Sequence, residues 1–96
     1  MIIVRETFVA KPGQASKLAK LLKGVMQGSP DAANITVMTD LTGQFNTVVI
    51  QTELKDIAAI DKRMQEYSQD QSLREKMSSY TDMYLTGSRE IFQITE

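Results

Sequence analysis

The sequence contains no histidine, no cysteine and no tryptophan. Without histidine or cysteine, the chain has no ordinary ligands for zinc, copper or an iron–sulfur cluster, and no axial histidine for haem. The same absence excludes disulfides and the serine–histidine and cysteine–histidine nucleophiles. Proton transfer would have to use carboxylates, lysine, tyrosine or water. No acidic cluster has the spacing of a calcium-binding loop, so we expect no metal site and no cofactor.

The net charge is also close to zero, and the chain has no long apolar run. The formal net charge is −1 and the sequence pI is about 5.4, which argues against a nucleic-acid partner because such binding depends on neutralising phosphates. No apolar run approaches the roughly 20 residues that span a bilayer. The N-terminus lacks the basic and apolar regions of a signal peptide. We therefore expect no membrane association and a cytoplasmic location.

The chain is short, with 96 residues, of which 42% are hydrophobic and 24% charged. These values predict one ordinary globular domain spanning residues 1–96, with a single modest core. At this size much apolar surface remains exposed unless something covers it. Association with a second chain is a common solution.

The first part of the chain predicts a strand followed by a helix. Residues 2–10 (IIVRETFVA) are rich in β-branched and aromatic residues and stop at a Lys-Pro-Gly sequence, residues 11–13. Gly28 and Pro30 are typical of the end of a helix. Between these two stops, apolar residues recur at the spacing of one helical face: Ala15, Leu18, Ala19, Leu22, Val25 and Met26.

The next stretch predicts a β-hairpin. Residues 34–43 and 45–54 have the composition of two strands. Thr42-Gly43-Gln44 would join them, because glycine can take the positive φ that tight turns require. Asn46 has two interpretations, closure of the hairpin or contact with a ligand.

After the hairpin the pattern changes to that of a helix in two pieces. Asp56 can cap the first piece, which the stretch QDQS (residues 69–72) interrupts. Ser72 and Glu75 have the spacing of a capping box and predict a second start. Gly87 would end this piece, before a short last strand at residues 89–94. The apolar faces of the two pieces are Ile57, Ile60, Met64 and Tyr67, then Leu73, Met77, Tyr80 and Tyr84.

The predicted order is β-α-β-β-α-β, which is the α+β ferredoxin-like pattern with a four-stranded antiparallel sheet and a broken second helix. Residues 2–4 and 48–50 would lie in the two central strands and are apolar on both faces. The helices cover only one face, so the other would expose an apolar patch that monomers seldom leave open. We therefore predict a two-fold homodimer whose sheets meet face to face and enclose a barrel-like interior.

Two stretches resemble the dimeric α/β barrel superfamily. Residues 2–22 (IIVRETFVAKPGQASKLAKLL) look like the opening of many members. Residues 41–77 (LTGQFNTVVIQTELKDIAAIDKRMQEYSQDQSLREKM) are similar to the NIPSNAP-like branch, where a Gly-containing turn, Asn, Val-Val and an Asp-initiated helix recur in this order. The superfamily also includes antibiotic-biosynthesis-type and haem-degrading monooxygenases and members without an assigned activity. The resemblance therefore implies a fold and leaves the function open.

The resemblance carries over few functional residues. Glu6 falls where haem-degrading relatives carry a catalytic Asn, and the His and Trp of those relatives have no counterpart here. Haem binding through His is thereby excluded, whereas a cofactor-independent monooxygenase needs mainly a dry cavity and a base. The resemblance places Glu6 inside the barrel, on one side with Ile2, Val4 and Phe8. The third strand would contribute Val48, Ile50 and Thr52.

Glu6 is the candidate catalytic residue, because an apolar pocket disfavours the charged carboxylate and suits a general acid or base. The alternative is an ion pair between Glu6 and Arg5, Arg89 or a partner chain. The tyrosines have helical core spacing, so packing is their alternative role. The candidate ligand-binding residues are Phe8, Asn46, Ile50, Thr52, Tyr80 and Tyr84.

Two functions are compatible with these residues. The first is a dimeric barrel that binds a small apolar or aromatic molecule between its sheets, with cofactor-independent monooxygenase chemistry as one form of it. The second is a non-catalytic homodimeric interaction module whose barrel is filled by its own side chains. The volume of the cavity and the burial of Glu6 discriminate between them.

Overall fold

A computed structural model describes residues 1–27 and 34–95. The strands form one antiparallel sheet in the order β2-β3-β1-β4. This arrangement is the predicted α+β ferredoxin-like fold, with the second helix in two pieces. The elements are β1 Ile2–Ala10, α1 Ala15–Met26, β2 Ile35–Thr39, β3 Thr47–Leu54, α2 Ala58–Gln69, α3 Gln71–Lys76, a 3-10 turn Tyr80–Asp82 and β4 Tyr84–Gln93.

The two central strands, β1 and β3, are those predicted from their apolar content. Alternate residues of each strand are buried under the helices, and Val48 is fully buried opposite Phe8. Helix α1 packs on the same face through Leu18, Leu22 and Val25. The strands therefore bury every second side chain under the helical layer, as the period of a half-covered sheet requires. The predicted helix stop at Gly28 and Pro30 lies outside the described residues.

The hairpin between β2 and β3 is longer than the predicted turn. The backbone N–H of Thr47 donates to Asp40 Oδ1 at 2.9 Å, which closes a loop over residues 40–46. Gly43 and Asn46 both have positive φ, at 105° and 63°. Asn46 also accepts a 2.7 Å hydrogen bond from the backbone N–H of Ala10 through its carbonyl. Asn46 thus lies in the turn, where asparagine tolerates the left-handed backbone better than most residues.

The boundaries of the second helical region differ from the prediction. Asp56 accepts from the N–H of Ala59 at 3.1 Å, as predicted for a cap. The second piece is capped by Asp70, which accepts from the N–H of Leu73 at 3.0 Å, so the predicted capping box at Ser72 is wrong. Aspartate caps a helix as well as serine does. Asp70 also has the extended backbone that an N-cap residue adopts, and it precedes Ser72 in the chain.

Gly87 does not end a helix. It lies inside β4, opposite Phe8, and a Cβ built on it would approach Phe8 Cδ1 to 3.2 Å. The glycine therefore leaves room for the Phe8 ring on the neighbouring strand. As a result the last strand begins at Tyr84, five residues earlier than predicted.

The second face of the sheet carries no helix in the part of the chain that the structure describes. Ile3, Val9 and Val49 are half-buried there, while Met38 and Phe92 are exposed. Arg5 lies among them: its Nη2 donates to Gln51 Oε1 at 3.0 Å, and its guanidinium carbon is 5.2 Å from the centre of the Phe92 ring. We call this surface the open face. It is mixed in character: Arg5 lies opposite both Gln51 and Glu90, and polar residues such as Thr7, Glu53 and Ser88 alternate with the apolar side chains.

Candidate functional site

Glu6 is the polar exception on the helix-covered side of β1. The residues that share this side of the strand, Ile2, Val4, Phe8 and Ala10, are all buried and apolar. The sequence predicted this grouping of Glu6 with Ile2, Val4 and Phe8. A carboxylate in a row of core residues costs stability unless it is solvated or paired. Its position therefore marks a place where the core is interrupted.

A cavity of about 460 Å³ lies above Glu6, between the sheet and the helices of the same chain. Helix α2 has no fully buried residue, which leaves space between it and the strands. Strand residues form the floor: Val4, Glu6, Phe8, Ile50 and Arg89. Helical residues form the walls and roof, among them Leu22, Val25, Ile60, Met64, Tyr67, Leu73 and Met77. Cavities of this size hold small organic ligands in other proteins.

The location of this cavity corrects the sequence-based expectation. The prediction placed Glu6, Phe8 and Ile50 between the sheets of two chains. The structure places them under α1, α2 and α3, so a second sheet on the open face would not touch them. Alternation along a strand shows which residues share a face, but it does not show which face the helices cover.

Glu6 forms an ion pair with Arg89 of the neighbouring strand. Arg89 is directly opposite Glu6 in the β1–β4 register, and its Nη2 lies 3.4 Å from Glu6 Oε2. The Glu6 side chain is 33% exposed, so the pair is partly solvated and contributes little to stability. One guanidinium contact of this length leaves both groups able to exchange partners with a bound molecule. The predicted alternative of pairing with Arg89 is thus observed, whereas Arg5 lies on the open face.

Three aromatic side chains form a wall beside Glu6. The Tyr80 and Tyr84 rings are stacked with centres 5.6 Å apart, and the Phe8 ring lies 5.0 Å from Tyr84 and 6.4 Å from Tyr80. Glu6, the three aromatic residues, Gly87 and Arg89 also surround a second space of about 290 Å³ at the β4 side. The two spaces therefore share four lining residues, Glu6, Phe8, Tyr80 and Arg89.

The Tyr80 hydroxyl is a proton donor in this site. Burial, together with the proximity of Tyr84, raises the pKa of Tyr80 above its ordinary value. A raised pKa keeps the phenol neutral at physiological pH. The Tyr80 hydroxyl forms a side-chain hydrogen bond with Tyr84, so a bound oxygen would accept its proton in place of Tyr84, while the carboxylate of Glu6 can accept a hydrogen bond.

We expect Tyr80→Phe to remove a titration at high pH. In the wild type, burial raises the pKa of Tyr80 above that of an ordinary tyrosine, and ultraviolet absorbance at the tyrosinate band measures its ionisation. Because the folded pKa is raised, the Tyr80 contribution to stability is complete below the unfolded pKa. It is lost as pH rises through the folded pKa. A shifted high-pH component that survives in Tyr80→Phe would show that Tyr80 is not the shielded phenol.

The structure brings together some of the predicted site residues and separates others. Glu6, Phe8, Ile50 and Tyr80 all contact the main cavity, and Tyr84 contacts the smaller one. Thr52 is buried on the same side of β3 but lines neither space. Asn46 lies in the hairpin, away from both.

Several lining residues on the helices were not predicted for the site, among them Met64, Leu73 and Met77. Their spacing gives the signal of a core-facing stripe, and the same stripe fits a packed core and a cavity wall equally well. Only the distance between helix and sheet separates these two cases.

Among residues 1–27 and 34–95, no three acidic, histidine or cysteine side chains are grouped to hold a metal ion. No helix in the same ranges is long and apolar enough to cross a membrane. The cytoplasmic location predicted from the sequence remains a prediction.

The fold and the cavity define a class: an α+β ferredoxin-like chain with a ligand-sized space between its helices and its sheet. Solved structures of NIPSNAP-domain proteins have the same fold. A NIPSNAP family protein from Agrobacterium tumefaciens matches with a TM-score of 0.85 at 13% identity, covering 99% of this chain and 93% of that one. An uncharacterized NIPSNAP domain protein from Burkholderia xenovorans matches with a TM-score of 0.80 at 12% identity, covering 99% and 95%.

A second group of similar structures includes a candidate antibiotic biosynthesis monooxygenase from Chloroflexus aurantiacus. It matches with a TM-score of 0.76 at 11% identity, covering 99% of this chain and 94% of that one. Neither a protein-family model nor a curated protein matches the sequence. The comparisons confirm the predicted superfamily resemblance at the level of fold. Fold alone does not assign an activity.

Proposed function

We propose that the protein is a homodimer of single ferredoxin-like domains, each spanning residues 1–96 and binding one small, largely apolar or aromatic molecule between its helices and its sheet. The observation that carries the proposal is the position of Glu6. This carboxylate interrupts a buried apolar row at the floor of a cavity of about 460 Å³. A fold under selection for stability alone would favour an apolar residue at such a position.

The lining residues support a ligand that is mostly apolar with a polar group at one end. Leu22, Val25, Ile60 and Met64 offer apolar surface along the helices. Glu6, Arg89 and Tyr80 lie together at the sheet, where one acceptor and two donors converge. A planar ring with a hydroxyl group fits this distribution, because it can stack on the aromatic wall and donate its proton toward Glu6.

The bound molecule could be a substrate, in which case the protein would be an enzyme. Glu6 would act as the base that removes a proton from a hydroxylated aromatic ligand, and Tyr80 would donate a hydrogen bond to the oxygen that becomes charged. A cofactor-independent monooxygenase needs such an electron-rich anion in a dry cavity. The candidate monooxygenases of similar fold support this form by analogy only.

The dimer part of the proposal rests on the open face. Its apolar side chains, Ile3, Val9, Met38, Val49 and Phe92, would be covered by the same face of a second chain. The central pair of Arg5 and Gln51 can join its two-fold related copy through polar contacts. In this arrangement the two cavities lie on the outer sides of the paired sheets and act independently.

A second candidate function is a non-catalytic interaction module. The ion pair between Glu6 and Arg89 favours it, because a partner within the chain accounts for the carboxylate without any ligand. Under this alternative the cavity would not bind aromatic molecules with any preference.

A binding experiment separates the two functions. We expect 2-naphthol, a planar probe with one hydroxyl group, to bind with a dissociation constant in the micromolar to millimolar range and to raise the melting temperature. Isothermal titration calorimetry and a thermal shift assay measure both effects. In Glu6→Gln, which keeps the shape but loses the charge, we expect at least about tenfold weaker binding, the loss of roughly one charge-assisted hydrogen bond.

The matched control is Glu90→Gln, the same chemical change on the open face of β4. It should bind the probe as the wild type does. Equal affinity of Glu6→Gln and the wild type would remove Glu6 from the site. Absence of binding to 2-naphthol and to related planar probes would favour the interaction module.

A further inference from the structure

Gly87 lies in the middle of a strand, where its backbone does not explain the choice of glycine. Glycine weakens a strand, and no positive φ requires it at this position. A Cβ on Gly87 would lie 3.2 Å from Phe8 Cδ1 and 3.5 Å from the carbonyl oxygen of Thr7. Gly87 also lines the smaller space of about 290 Å³ at the β4 side. The missing side chain therefore makes room for the Phe8 ring and keeps this space open.

The smaller space borders the ion pair at the floor of the main cavity. Four residues line both spaces: Glu6, Phe8, Tyr80 and Arg89. A ring in the main cavity whose hydroxyl group reaches Glu6 therefore has its neighbouring carbon atom at the boundary between the two spaces. A substituent on that carbon points into the smaller space while the ring stays in the main cavity.

Glu6 and Arg89 offer complementary hydrogen-bonding groups side by side. Arg89 Nη2 lies 3.4 Å from Glu6 Oε2, which is longer than a strong charged hydrogen bond, and the guanidinium has further N–H groups. Two oxygens on adjacent ring carbons match this pair, because one can donate its proton to the carboxylate while the other accepts from the guanidinium. A second negative charge would be repelled by Glu6, so the second oxygen group should be uncharged.

We propose that the ligand is a catechol-type molecule, with two oxygen-bearing groups on adjacent carbons of an aromatic ring, and that the smaller space is the subsite for the second group. This inference rests on the ligand-binding function proposed above and specifies its ligand class. The first hydroxyl group donates to Glu6, and the second oxygen accepts from Arg89. Gly87 determines the specificity for the second group, because a side chain at this position would occupy the subsite.

Two isomeric diols test the subsite in the wild-type protein. In 2,3-dihydroxynaphthalene the hydroxyl groups are adjacent, whereas in 2,6-dihydroxynaphthalene the second hydroxyl is on the other ring, in the apolar part of the main cavity. We expect the 2,3 isomer to bind at least about tenfold more tightly than 2-naphthol, the effect of one charge-assisted hydrogen bond. The 2,6 isomer should show no such gain, because its second hydroxyl loses water without finding a partner. Isothermal titration calorimetry under nitrogen, which prevents oxidation of the diols, gives the dissociation constants.

Two variants assign the preference to residues. Gly87→Val places a branched side chain in the smaller space and suits the extended backbone, and Arg89→Gln removes the charged donor. In each variant, the preference for the 2,3 isomer over 2-naphthol should fall from about tenfold to less than about threefold. Thr86→Val is the control, since Thr86 precedes Gly87 and pairs with Val9 on the open face; it should keep the full preference. The wild-type comparison needs no variant and stands if Gly87→Val does not fold.

The outcomes separate this inference from the proposed function. Binding of 2-naphthol without a preference for the 2,3 isomer would overturn the subsite while the ligand-binding function stands. An equal gain from the 2,6 isomer, or a preference that survives in both folded variants, would also overturn it, because the second hydroxyl would then be bound elsewhere. Absence of binding for all three probes would remove the proposed function and the subsite together.

Discussion

Val48→Asp is expected to leave the protein unfolded. Val48 is fully buried at the centre of the sheet, opposite Phe8 and beneath α1. The substitution removes about 1.5–3 kcal/mol of apolar burial. It also places a carboxylate where no partner is available, at a cost of several kcal/mol more. The total is comparable with the ~5–15 kcal/mol that stabilises a typical domain.

Circular dichroism and one-dimensional proton NMR would detect the loss of structure. The graded control is Val48→Ala, which removes volume without adding charge and should stay folded with about 2 kcal/mol less stability. A folded Val48→Asp protein with native chemical shifts would mean that this side chain is not in the core, and the assignment of the two sheet faces would be reversed.

Val49→Asp is expected to fold and to lose association. Val49 is the next residue along β3, opposite Thr7 and Met38, and its side chain lies half-buried on the open face. A carboxylate there remains hydrated in a monomer. In a face-to-face dimer it would be desolvated near its own two-fold copy, and like charges in an interface cost several kcal/mol. We therefore expect a shift from dimer to monomer at micromolar concentrations.

Sedimentation equilibrium of the wild type and the variant gives the masses, and circular dichroism verifies the fold. Gln65→Asp, on the exposed surface of α2, adds the same charge outside the open face and should leave the dimer intact. A monomeric wild type would refute the dimer, but the cavity would remain a candidate site because a single chain encloses it. The ligand-binding and dimer parts of the proposal therefore fail or survive separately.

The contrast between Val48 and Val49 explains why three consecutive apolar residues occur in a short protein. Val48 and Ile50 fill the core under the helices, and Val49 points to the other face. The strand thus has one side buried under the helices, while on its other side Val49 lies among Thr47, Gln51 and Glu53 and is not covered by a helix of the described chain. A partner for that other side is the simplest explanation of the pattern.

The cavity beside Glu6 has a cost to the fold. Helix α2 buries none of its residues completely, and Met64 remains exposed although it lines the cavity. Closer packing of α2 on the sheet would bury more apolar surface and add stability. A loosely packed helix over a polar group is typical of a site that must admit a ligand.

Local sequence determined the strands, the first helix and their order. The β-branched alternation of β1 and β3 and the three-and-four spacing of α1 each have a direct physical cause in the geometry of one element. Ser72 and Gly87 were misassigned for a related reason. A capping box or a helix-ending glycine is a local signal. At the first position Asp70 caps the helix in place of Ser72. At the second, Gly87 lies in a strand and leaves room for the Phe8 ring.

The amino-acid sequence by itself determined that Glu6 shares a strand face with Ile2, Val4 and Phe8, since side chains alternate strictly along a strand. Only the tertiary structure decided that the helices cover this face and that Arg89 pairs with Glu6, 83 positions away in the sequence. It also decided that α2 stands far enough from the sheet to leave a cavity. These features depend on distances between elements remote in sequence, which packing of the whole chain sets and no local pattern encodes.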